Sequence, residues 1–236
     1  MATPPDELPL LEGHISRAYD GDLAALQLRV TAMGALVLSQ VQDAVGAYAD
    51  WKPDAAATVA AREAQVNAAE QQIDEEALRV IARRQPMAND LRAILSFERS
   101  VSDFERIGDE ANKLARIVLA GTARENGGSV RPGPATSRDV RQLGRLASRM
   151  VRAAVQAFDT MDATAAAAVI QGDRELDEEY AAGLRRLLTR AMEDPRRIQD
   201  AMQSAFVLKS IERIGDHARN VAHQVVELVS PSAAVR

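Results

Sequence analysis

The chain has 236 residues, 47% hydrophobic and 27% charged but only 3% aromatic, and much of the apolar share is alanine and leucine, the strongest helix formers. Its formal net charge of -5 gives no electrostatic footprint for a phosphate backbone, which excludes nucleic acid as a partner and favours cations or basic surfaces. The absence of cysteine excludes disulfide staples, zinc–thiolate sites and cysteine nucleophiles, and fits a reducing compartment, with the cytoplasm expected.

The N-terminal MATPPDELPLLEG has neither a basic region nor a long apolar one. No apolar run approaches the roughly 20 residues that span a bilayer, so membrane contact is expected only through a partner. Helix one is expected from about Ser16 to Ala49, where Leu23, Leu26, Val30, Met33, Val37 and Val41 recur at helical spacing and define a buried stripe. Helix two follows from about Asp54 to Arg84, and Pro86 forces a break before helix three, about Met87 to Leu119. The stretch GTARENGGSVRPGPATS, Gly121 to Ser137, concentrates glycine and proline and reads as a linker. Beyond it the plan repeats: Ser137 to Phe158, then Asp162 to Met192 with Asp162 as N-cap, then a last helix opened by Asp194-Pro195 and ended by Pro231.

The expected fold is all-α: two tandem three-helix bundles, residues 1–121 and 137–236, joined by a linker at 122–136. The halves repeat in detail. ERIGDEANKLA at Glu105 has a twin, ERIGDHARNVA, at Glu212, 107 positions later. Likewise VNAAEQQIDEE (Val66 to Glu76) aligns with VIQGDRELDEE (Val169 to Glu179), so the chain reads as an internal duplication.

The repeated residues are mostly acids. Residues four apart share a helix face, which pairs Glu70 with Asp74, Glu105 with Asp109, Asp173 with Asp177, and Glu212 with Asp216. Each like-charge pair destabilises a helix by roughly 0.2–0.5 kcal/mol, so four in matched places call for a compensating cation. A metal ion could supply it, since all-oxygen sites suit magnesium, manganese, calcium or iron. Ion pairs with Arg99, Arg106, Arg213, Lys113 or Arg219 are the alternative. Gly108 and Gly215 inside the motifs suggest close helix approach beside the acids. His217, whose counterpart is Glu110, is expected to face solvent. Met33, Met87, Met150 and Met202 are expected in the core, and Trp51 in packing at a helix end. No phosphate loop, nucleophile elbow or catalytic triad pattern appears, so no enzyme is expected; the competing reading is a carboxylate-bridged metal enzyme, an oxidase or phosphohydrolase.

These residues resemble the PhoU family, regulators of bacterial phosphate uptake, through RRQPMANDLR, FERSVSDFERIGDEANKLA and LKSIERIGDHARNVA. The resemblance implies multinuclear metal sites at Glu105, Asp109, Glu212 and Asp216, with iron, manganese, magnesium or zinc as the ion. It further implies a dimeric negative regulator of the phosphate regulon that links the ATPase of the phosphate ABC transporter to a membrane histidine kinase. QPMANDLR, Gln85 to Arg92, has no equal in the second half, which makes Asp90 and Arg92 the expected partner-binding residues.

Overall fold

The computed structural model describes residues 17–123 and 130–230. The expectations for residues 1–16, for the centre of the linker at 124–129 and for Pro231 as a terminator lie outside the described residues. Among the described residues, six α-helices follow in order: α1 (Arg17–Asp50), α2 (Pro53–Arg84), α3 (Asn89–Ala123), α4 (Pro134–Thr160), α5 (Ala163–Glu193) and α6 (Ile198–Val229), with a 3-10 turn at Pro195–Arg197. Local chemistry explains the starts. Pro53 and Pro134 occupy the first helical turn, where a missing N–H is harmless, and Asp162 caps α5 by accepting from the Thr164 and Ala165 amides at 2.8 and 3.0 Å.

Two boundaries differ from the expected ones. α3 begins at Asn89 rather than Met87, because Pro86 and the left-handed Ala88 (φ 49°) hold the chain out of a helix there. α3 also runs on to Ala123 and α4 starts at Pro134, so both enter the stretch read as linker. Glycine and proline marked the break correctly, but Pro134 belongs to the helix it opens.

Each half is an up-down-up bundle. Asp22 meets Arg84 while Asp43 meets Arg62, so α1 and α2 are antiparallel. Asp139 meets Arg186 and Arg190 while Arg149 meets Glu175, which sets the same relation for α4 and α5. The duplication persists in the turns: Trp51 and Met161 end α1 and α4 with positive φ of 53° and 48°, and the next amides, of Lys52 and Asp162, bond back to Ala47 and Ala157 at 2.9 and 3.0 Å. Trp51 packs edge-on against Tyr48, as expected of a helix-end aromatic.

The halves do not sit apart, because α1 packs on α4 and α3 on α6, merging both bundles into one hydrophobic core. The α1–α4 contact is reciprocal. A Cβ on Gly34 would lie 2.7 Å from Val155, and one on Gly144 would lie 2.5 Å from Val45; the same shift along the chain carries Gly34 to Gly144 and Val45 to Val155. Gly144→Ala should therefore be destabilising by about 1–2 kcal/mol net of its gain in helix propensity, since a Val45 Cβ at 3.1 Å leaves the neighbour no room to rotate away. Gly172→Ala, with nothing within 4 Å, should stabilise slightly. Denaturant unfolding of the two variants checks this; equal stabilities would refute the close approach.

α1 has the length and apolar composition of a membrane-crossing helix, contrary to the expectation that no such run exists. Its residues Leu26, Val30, Val37 and Val41 are fully buried against the other helices. The excess apolarity reflects a helix that faces three neighbours, α2, α3 and α4, instead of one. Of the four methionines expected inside, Met33 and Met150 are buried, whereas Met87 is 80% and Met202 58% exposed. Both exposed ones lie near helix starts, where the apolar periodicity is too short to assign a face.

Candidate metal centre

α2 and α3 run antiparallel, and each carries three acids at spacings of seven and four residues: Glu63, Glu70 and Asp74 on α2, Glu98, Glu105 and Asp109 on α3. The helices lay them out as a ladder. Asp74 neighbours Glu98, Glu70 faces Glu105, and Glu63 neighbours Asp109, each close enough to act on the other's charge. Glu70, Asp74, Glu105 and Asp109 were legible as sequence pairs, and the fold brings them together. Glu63 and Glu98 were not, since neither belongs to an i,i+4 pair; their seven-residue spacing from Glu70 and Glu105 was the available signal.

Burial and mutual repulsion govern the ladder's protonation. Burial, then Asp74, pushes the Glu98 carboxyl up to about 7. Glu63, Glu70 and Glu105 are raised too, by burial first and with help from neighbouring carboxylates, while Gln40 opposes the rise at Glu63 and Arg106 and His217 oppose it at Glu105. Among the described residues, no lysine or arginine forms an ion pair with any of the six; Arg62, on the same helix as Glu63, is taken by Asp43 at 2.7 Å. Below the acids lies Gln40, fully buried, whose Nε2 donates to Glu63 Oε2 at 2.7 Å and to the Gly108 carbonyl at 3.3 Å. Its Oε1 has no partner, nor does Glu98 Oε1.

The donor set fits a hard cation: it is all oxygen, rich in negative charge and short of internal counter-ions. Among the described residues, however, no three histidine, cysteine, aspartate or glutamate side chains lie close enough together to hold a metal ion as they stand. Burial and the neighbouring carboxylates favour the protonated form of these acids. A cation would take the place of those protons, once side chains had rotated to bring three or more oxygens together.

In the second half α5 and α6 present Asp173, Asp177, Glu212 and Asp216 at the matching places, but basic groups accompany them. Arg219 pairs with Asp173, which is only 6% exposed, and its Nη2 lies 3.3 Å from Asp216 Oδ1. Lys209 Nζ donates to both oxygens of Glu212, at 2.7 and 2.6 Å, and sits 5.6 Å from the Tyr180 ring centre. Asp177 is exposed; burial of its carboxyl, then Asp173 and Asp216, raises its pKa, while Arg219 and Lys209 oppose the rise. The motif glycines differ as well. A Cβ on Gly215 would lie 2.0 Å from Leu176 Cδ2, whereas one on Gly108 would meet Val66 at an ordinary 3.4 Å, so close approach is enforced at Gly215 and not at Gly108.

Lys113 and Arg213, offered by the sequence as partners for the motif acids, turn instead to the buried Glu110, at 2.8 and 3.1 Å. Arg213 thereby ties α6 to α3. His217 does not face solvent: it is 7% exposed, with Nδ1 2.8 Å from Asp103 Oδ1, and Asn220 also donates to Asp103 at 3.3 Å. The positions of Glu110 and His217 point across the α3–α6 seam, which no single-helix pattern reveals. A second buried acid missed by sequence, Asp139, is held by Arg186 and Arg190 at 2.9 and 2.8 Å and fastens α4 to α5.

Comparison with known proteins agrees with this architecture. The PhoU domain matches residues 30–118 and again 140–225, one copy per half. The phosphate-specific transport system accessory protein PhoU homolog of Pseudomonas aeruginosa is 44% identical over 219 residues, spanning 93% of this chain and 88% of that one. The phosphate-specific transport system accessory protein PhoU of Escherichia coli is 34% identical over 211 residues, spanning 89% and 85%. Among solved structures, PhoU from Pseudomonas aeruginosa superposes with a TM-score of 0.83 at 42% identity, covering 91% of this chain and 100% of that one. The phosphate transport system regulatory protein PhoU from Streptococcus pneumoniae follows with a TM-score of 0.78 at 26% identity. Doubled domain, near full-length similarity and shared six-helix fold lead to one conclusion: the chain belongs to the PhoU family.

Proposed function

We propose that this protein is a cytoplasmic, metal-binding regulatory adaptor of the phosphate-specific transport system, acting as a negative regulator of the phosphate regulon. In this reading it forms a homodimer and couples the ATPase of the phosphate ABC transporter to the phosphate-sensing histidine kinase. The observation that carries it is the carboxylate ladder of α2 and α3, which lies half-buried on one face with Asp109 open to solvent and, among the described residues, without an ion-paired lysine or arginine, although Arg106 and His217 act on Glu105 from a distance. Glu63, Glu70, Asp74, Glu98, Glu105 and Asp109 would hold the ion, which supplies the positive charge that lets the two helices carry their acids deprotonated. An adaptor also needs surface for partners. Around the α5–α6 connection Leu188, Met192, Ile198, Met202 and Phe206 are exposed, apolar surface of the kind partners cover.

Deleting the gene is expected to derepress a phosphatase reporter in high phosphate, and the wild-type gene should restore repression. An unchanged reporter in a strain with no second PhoU-like gene would favour the metal-enzyme reading instead.

Asp90 and Arg92 remain the proposed partner-binding residues. Arg92 is exposed beside the exposed Met87, while Asp90 is half-buried in the first turn of α3, its carbonyl accepting from the Tyr19 hydroxyl at 3.0 Å. Substituting both with alanine should change stability by no more than about 1 kcal/mol, the share of an acid at a helix N-terminus plus an exposed arginine. Binding to the transporter ATPase and the kinase, measured on the same variant, should fall at least tenfold. Full affinity would place the docking surface elsewhere.

A further inference from the structure

The two halves share a fold and a motif but not a charge balance, and every difference at the acid face points the same way. Aligning the duplicated sequences puts Ala166 where the first half has Glu63, and Ala205 where it has Glu98. It puts Lys209 in place of Ser102 and Arg219 in place of Asn112, and the apolar Met150 in place of the buried Gln40. Met150 Sδ would lie 3.4 Å from a Cβ on Gly215, just as Gln40 lies against Gly108, so the positions correspond in space as well as in sequence. The outer rungs of the ladder thus lose an acid each, and two fixed cations arrive. Arg219 bridges Asp173 and Asp216, across α5 and α6, while Lys209 neutralises Glu212.

We infer that Arg219 and Lys209 are the resident cations of the second half, so that this half takes up no metal ion and the α2–α3 ladder alone does. This rests on the metal reading of the first half proposed above. A guanidinium between Asp173 and Asp216 and an ammonium on Glu212 engage three of the four acids a cation would need, and a metal would have to displace charge-assisted contacts held partly out of water. Asp173 Oδ1 stays buried without a partner and Asp177 makes no ion pair among the described residues, but oxygens left beside a guanidinium are no site for a second positive charge. The duplication has therefore produced one exchangeable cation site and one whose cation is part of the chain.

The test offers manganese(II) to metal-free, full-length protein and reads bound ion by the loss of the free-ion paramagnetic resonance signal. Wild type should bind, Glu105→Gln/Asp109→Asn should lose at least tenfold in affinity, and adding Lys209→Ser/Arg219→Asn to that variant should restore binding. Manganese-induced broadening of wild-type amide signals, which needs no variant to fold, should be confined to α2 and α3. Broadening of equal strength along α5 and α6, undiminished uptake by Glu105→Gln/Asp109→Asn, or no recovery in the four-fold variant overturns the inference. If wild type binds nothing but Lys209→Ser/Arg219→Asn does, the metal reading of the first half falls while the role of Arg219 and Lys209 stands. If neither binds, both fall.

Discussion

Replacing Arg219 with alanine is expected to lower the unfolding free energy by about 2–3 kcal/mol, less than the 3–5 typical of a fully buried pair because Arg219 keeps part of its surface in water. The change removes the guanidinium from Asp173, whose side chain is 8% exposed, and leaves three further carboxylates nearby in Asp177, Glu212 and Asp216. Only Lys209 remains to oppose them, and it is committed to Glu212. Arg219→Lys should recover part of the loss, because an ammonium restores the charge but cannot bridge Asp173 and Asp216 with a planar fork. Urea unfolding measures both. A loss under about 0.5 kcal/mol for the alanine variant would show the pair to be incidental.

Metal-free protein is expected to lose stability as the pH rises from about 4.5 to above 7, and a divalent cation should reverse that trend. Glu98 has its folded-state pKa at about 7, above the ordinary 4.5, and Glu63, Glu70 and Glu105 are shifted in the same direction. Below the ordinary value both folded and unfolded chains are protonated. Between the two values the folded chain binds more protons, so its stability falls with rising pH and the contribution is gone once pH passes the folded value. A cation binds the deprotonated ladder, so its benefit should grow over the same range, reaching about 2.7 kcal/mol at a concentration one hundred times the dissociation constant. Melting temperatures from pH 5 to 8, with chelator and with excess manganese(II), test this. The two curves should converge at pH 5 and separate by pH 8; Glu105→Gln/Asp109→Asn should erase the separation. Parallel curves would mean that the ladder neither titrates nor binds.

Much of the architecture could be read from the chain because the responsible forces are local. Apolar residues at helical spacing defined α1 without reference to anything else, Asp162 announced its cap, and the doubled ERIGD exposed the duplication. The same locality set the limit. An i,i+4 rule finds Glu105 with Asp109, but Glu98 and Glu63 join the site only because α2 lies antiparallel against α3, and register between helices is not written in either one. Met87 and Met202 failed for the opposite reason: a residue near a helix start has too few neighbours in sequence to declare its face.

By itself, then, the sequence determined six helices in two matching sets and placed four acid pairs on their faces, since backbone propensity, capping and side-chain period act within one helix. Only the tertiary structure decided which acids meet which charges. It set Arg219 on Asp173, 46 residues away, turned Lys113 and Arg213 to Glu110, and buried His217 against Asp103. The physical reason is that Coulomb energy depends on distance and burial, and both are properties of packed helices rather than of the chain that forms them.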